Sequence, residues 1–68
     1  MTVSDLDIWR SAQKMRDLYG EDASTHAAMR ADKALEQGDT EGFAVWKRIT
    51  KAAEELARQK PSDSEPLN

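Results

Sequence analysis

The sequence predicts an all-α fold, a small up-down-up three-helix bundle or a helical hairpin with a third helix laid against it. Three observations point there. Apolar residues recur at helical spacing in three successive segments. Glycine closes each of the first two segments, and an acidic residue follows at once to open the next. Alanine is abundant beside leucine, glutamate, lysine and arginine, a mixture that favours helix.

Ser4 reads as the N-cap of a first helix over about residues 5–19, with Asp7 in the capping-box position and Asp5 suited to the positive helix end. At 100° per residue Ile8, Ala12, Met15 and Tyr19 form one stripe, flanked by Trp9 and Leu18. Gly20 supplies a left-handed stop. Asp22 is placed to cap a second helix over about 23–37, whose inner face is Ala23, Ala27, Ala31 and Ala34, with Ala28 and Leu35 at one margin. Such a face buries little area but lets a neighbour approach closely. Met29 points outward beside Thr25, Asp32 and Glu36.

Gly38 ends the second helix, and Asp39 or Thr40 caps a third over about 40–59. Trp46, Ile49, Ala53 and Leu56 repeat at 3-4-3 spacing, with Val45 and Ala52 widening the face and Gly42 allowing close approach. Phe43 lies to one side. Pro61 forbids continuation, and residues 61–68 are expected as a disordered acidic tail. The folded domain is then 4–60. Both connections are short, so successive helices run antiparallel.

A chain of 68 residues folds as one small domain and buries only about 60% of its unfolded surface. It has no cysteine and one histidine, which rules out disulfides, thiolate chemistry and a histidine metal cage within one chain. A second copy is the remaining common way to enlarge the core, so a homodimer is expected. No cofactor is expected. The first residues lack the basic and apolar regions of a signal peptide, and no apolar run approaches the roughly 20 residues of a membrane span. A cytoplasmic protein without membrane contact is the expectation.

Charge offers one candidate surface. Lys47, Lys51 and Arg58 share the outer face of the third helix in a chain of net charge −3. That strip could meet phosphate or an acidic protein, but Glu54 lies inside it and nucleic-acid binders usually carry a net basic footprint. A solvated face with Lys51–Glu55 and Glu54–Arg58 pairs at i,i+4 is the simpler reading, and a nucleic-acid partner is not expected. Asp22, Ser24 and His26 hold the residue types of a hydrolytic triad, yet Ser24 points away from His26 on a helix and no relay forms. His26 is then a surface residue near Arg30 and Lys33. Asp5, Asp7, Glu21 and Asp22 sit where helix starts want negative charge, without calcium-loop spacing. No enzyme is expected. Trp9 and Trp46 are core by bulk, though Trp9 at its stripe margin also suits an interface.

Taken together, Ile8-Trp9 with Ala12, Gly20-Glu21-Asp22-Ala23, Arg30-Ala31-Asp32 and Gly38-Asp39-Thr40-Glu41-Gly42 through Val45-Trp46-Lys47-Arg48-Ile49 resemble a group of short, uncharacterised bacterial helical proteins with a helix-Gly-helix-Gly-Asp-helix-Trp layout. The resemblance covers most of residues 6–56. It implies the helical fold and transfers no catalytic or binding residue. The expected function is a non-enzymatic helical interaction module, self-associating or an adaptor of a larger protein, with Trp9, Leu18 and Met29 as interface anchors. The alternative is a regulator acting on nucleic acid or on a nucleic-acid enzyme, through the basic face of the third helix or through acidic mimicry by the first two.

Overall fold

The computed structural model describes residues 3–58. They form three α-helices, α1 (Asp5–Tyr19), α2 (Ala23–Glu36) and α3 (Thr40–Arg58), with a 3-10 turn at Gly20–Asp22 between the first two. The last position expected in the third helix and the acidic tail at 61–68 lie outside the described residues. Arg48, midway along α3, meets Val3 and Asp5 at the start of α1, while Trp9 shares a groove with Lys51 and Glu55 one turn further on. The two helices therefore run parallel. Trp46, early in α3, lies beside Arg30, and Ala52 and Ala53 join the same core as Ala23 and Ala27. α2 therefore runs antiparallel to α3. The path is up-down-up.

Each junction has its own backbone chemistry. At the start of α1, Ser4 is extended (φ −72°, ψ 159°) and its hydroxyl accepts the Asp7 N–H at 3.2 Å. Gly20 ends that helix at φ 60°, ψ −127°. This is a glycine-only conformation, but not the left-handed helical stop the sequence suggests. The chain then tightens into the 3-10 turn and enters α2 with Asp22 at φ −89°, ψ 6°, where its side chain makes no capping bond. A capping side chain needs an extended backbone behind it, and here the backbone is already nearly helical. Asp22 thus occupies the expected place without the expected role.

The second junction is tighter. Gln37 caps α2, Gly38 adopts φ 77°, and the Gly38 and Asp39 N–H groups donate to the carbonyls of Leu35 (3.0 Å) and Ala34 (2.8 Å). This pair of bonds is a Schellman closure. Asp39 then opens α3: its carbonyl accepts from Phe43 at 2.9 Å and its Oδ1 accepts the Gly42 N–H at 2.9 Å. One residue finishes one helix and caps the next. Asp39 rather than Thr40 is the cap. Gly42 is also reassigned, because the space where its Cβ would lie is filled by the Asp39 carboxylate, not by a neighbouring helix.

The core is built mainly of alanine. Among the described residues, seven of the ten buried are alanines: Ala12, then Ala23, Ala27, Ala31 and Ala34 along α2, then Ala52 and Ala53. Ile8, Met15 and Ile49 supply the bulk. All four alanines predicted for the inner face of α2 are buried. Four such methyls contribute about 3 kcal/mol where four leucines would give roughly 6–12 kcal/mol, at about 0.8 kcal/mol per methyl-sized group and 1.5–3 per leucine. Trp46, Val45, Leu56 and Tyr19 pack against this core while staying partly exposed. Trp46, expected inside the stripe, is therefore half-buried, since alanine faces brought close together leave no slot for an indole.

Three outcomes follow for stability. Asp39→Ala should cost about 1–2 kcal/mol in urea unfolding through loss of the cap. Gly42→Ala should be neutral or unfavourable alone, yet stabilise by up to about 1 kcal/mol in the Asp39→Ala background, where the carboxylate is gone and only helix propensity remains; additive effects would refute the assignment of Gly42. Ala27→Leu, at a site with no exposure, should destabilise by about 1–3 kcal/mol through overpacking, read as a lowered thermal midpoint.

Candidate functional site

Five large apolar side chains stand exposed among the described residues: Leu6, Trp9, Leu18, Met29 and Leu35. The anchors expected from the sequence are all in this set, Trp9 at 39%, Leu18 at 62% and Met29 at 58% exposure; Trp9, expected in the core by its bulk, is corrected to an exposed position at the margin of its stripe. They do not converge on one patch. Trp9 lies in a groove of about 250 Å³ between α1 and α3, walled by Ile8, Arg48, Lys51 and Glu55. Met29 lies in a separate groove of about 510 Å³ between α2 and the start of α3, with Trp46. Leu18 lines neither. Two candidate surfaces thus flank α3, one on each side.

The α1–α3 groove is fixed by a long-range clasp. Arg48 Nη1 donates to the Val3 carbonyl at 3.1 Å, and Nη2 donates to Asp5 Oδ1 in an ion pair. Asp5 sits in the first turn of α1, where its charge also suits the helix dipole. Arg48 therefore holds the entry of α1 onto the middle of α3 and forms one wall beside Trp9. From the sequence Arg48 is one basic residue among several. Its partners lie more than forty positions away, and no local spacing reveals them.

The basic strip is exposed, as expected, but its members have different neighbours. Lys47 lies 5.8 Å from the Phe43 ring centroid, Lys51 edges the Trp9 groove, and Arg58 pairs with Glu55 at 3.9 Å. The last is an i,i+3 contact. Neither expected i,i+4 pair, Lys51–Glu55 or Glu54–Arg58, forms among the described residues. An exposed i,i+3 pair of this length contributes little.

On the other side, His26 stacks on Tyr19, with ring centroids 3.8 Å apart and planes 14° from parallel. Its ring is engaged there rather than in a relay with Ser24. It shares the α2–α3 groove with Arg30 and Lys33, as its sequence position suggests. The Arg30 guanidinium lies 5.3 Å from the Trp46 ring centroid, within cation–π range. Thr50 donates its hydroxyl to the Trp46 carbonyl at 2.8 Å, satisfying a β-branched residue inside the helix. Arg30 and Lys33 as groove residues were not evident from the sequence. Only packing α2 antiparallel to α3 brings them beside Trp46.

Among the described residues, no helix is long and apolar enough to cross a membrane, no group of three acidic or histidine side chains could hold a metal ion, and no charged side chain is buried. No family model matches the chain, and no curated protein or solved structure matches it.

The clasp gives a test of how α1 is held. Arg48→Ala should lower global stability by less than about 1 kcal/mol, because the pair is exposed. It should speed amide exchange in the first turn of α1 while leaving the central turns of α3 protected. Equal acceleration throughout would mean that Arg48 supports the whole bundle.

Proposed function

We propose that this chain is a small non-enzymatic protein-interaction module, acting in the cytoplasm by self-association or as an adaptor of a larger protein. One observation carries the reading. The buried core is mostly alanine, while five larger apolar side chains stand outside it. A fold of this size that leaves so much apolar bulk exposed gains more from a second surface than from further internal packing. Trp9 is the main anchor under this reading. Its indole offers a large, stiff contact area at low entropic cost, and the groove beside it has both an apolar floor and charged rims to set register.

Sedimentation equilibrium of the full chain at micromolar concentration tests the self-associating form, with a concentration-dependent mass above the monomer expected. Trp9→Ala should return the chain to a monomer while lowering stability by no more than about 2 kcal/mol, since the side chain is already partly exposed. A strict monomer throughout removes self-association. A Trp9→Ala chain that unfolds assigns Trp9 to the core instead.

A further inference from the structure

The geometry points to the α2–α3 groove as a docking site for an acidic peptide segment of a partner protein, a reading that rests on the interaction function proposed above and gives the partner its chemistry. The groove holds about 510 Å³ between two helices and is open to solvent. Its walls carry His26, Arg30 and Lys33, its apolar surface is Met29 and Trp46, and Asp39 stands at one end. Neither Arg30 nor Lys33 forms an ion pair with any described residue, in a chain where acidic residues outnumber basic ones by thirteen to ten. Two unpaired cations beside an exposed methionine and a half-buried indole are therefore left for something outside the fold.

Two ring contacts lie along the groove wall. The Arg30 guanidinium lies 5.3 Å from the Trp46 ring centroid, and a planar fork stacked on a ring still offers its edge to a carboxylate in two parallel bonds. Stacking on Tyr19 holds the His26 ring at the wall. Asp39 does not cancel this charge in full, because it sets one carboxylate against the two permanent cations Arg30 and Lys33. An occupant complementary to these features carries at least two carboxylates, to meet Arg30 and Lys33, and an apolar side chain to lie on Met29 and Trp46. A nucleic-acid strand fits less well. Its evenly spaced phosphates would meet only two permanent cations, and its backbone carries no apolar side chain to lie on Met29 and Trp46.

Fluorescence anisotropy of the full chain with a fluorescein-labelled Glu-Asp-Leu-Glu-Glu-Leu peptide tests this. Controls are the same peptide with Gln and Asn at its acidic positions, and labelled oligo-deoxythymidine. The acidic peptide should bind, weaken as salt is raised, and lose about tenfold or more in affinity to the Arg30→Gln, Lys33→Gln double variant. Circular dichroism should show that variant folded, since both side chains are exposed. A Lys47→Gln, Lys51→Gln variant should bind as the wild type does. Equal affinity for the neutral peptide, indifference to the Arg30 and Lys33 changes, or preference for the oligonucleotide would overturn the assignment. So would a gain of about tenfold in a full chain carrying Asp63→Asn and Glu65→Gln, which would make the chain's own C-terminal segment the occupant. Loss of self-association in the Arg30 and Lys33 variant would make the occupant a second copy. Absent peptide binding with Trp9-dependent association intact removes this site and leaves the interaction function standing.

Discussion

Close approach of helices across alanine is the constraint on which the rest of this structure depends. Ala23, Ala27, Ala31 and Ala34 give α2 a face with almost no relief, and Ala12, Ala52 and Ala53 answer it from α1 and α3. Faces this smooth let backbones come near, so dispersion between helices is gained over short distances. The same closeness leaves little room inside. Ile8, Met15 and Ile49 are accommodated, while both tryptophans and the remaining large apolar residues are left at edges or outside. What fixes the core also determines the surface.

The junctions are built to serve that packing. Helices that pack along their length need short, stiff turns between them. The chain uses two different solutions: a 3-10 turn entered through a positive-φ glycine at Gly20, and a Schellman closure at Gly38 whose second residue is already the cap of α3. The second solution places Asp39 at the mouth of the α2–α3 groove, so a residue with a structural task also stands at the edge of a candidate surface. At the opposite edge of α3, Arg48 plays a comparable double part, clasping α1 and walling the Trp9 groove. α3 is accordingly the element both grooves share.

Exposed apolar residues scattered singly on a protein surface are ordinary. Here the setting makes them informative. Trp9 and Met29 each lie in a groove with charged rims, and each groove lies on α3. The rims differ in sign balance. The Trp9 groove mixes Asp5 and Glu55 with Arg48 and Lys51, a pattern suited to a partner of matching mixed charge. The Met29 groove is cationic apart from Asp39. α3 thus separates two surfaces of unlike charge balance.

The sequence by itself determined the helices, their order and the inner face of α2. Those features depend on neighbours within a turn or two: Ser4 with Asp7, Gly38 with Asp39, and the spacing of four alanines. It also identified Met29 as outward and put Trp9 and Leu18 at the margins of the α1 stripe, because helical phase is a local property, but bulk alone put Trp9 in the core, where it does not lie. It erred where two local signals competed. Asp22 has the residue type of a cap but lacks the backbone for one, and Gly42 has a packing glycine's place but yields its space to Asp39. Only the tertiary structure decided that Trp9 and Met29 fall into two separate grooves while Leu18 lines neither, that Arg48 clasps the start of α1, and that Arg30 and Lys33 stand beside Trp46. Those facts depend on contacts between residues far apart in the chain, which the rotation and close approach of whole helices bring about and which no local spacing encodes.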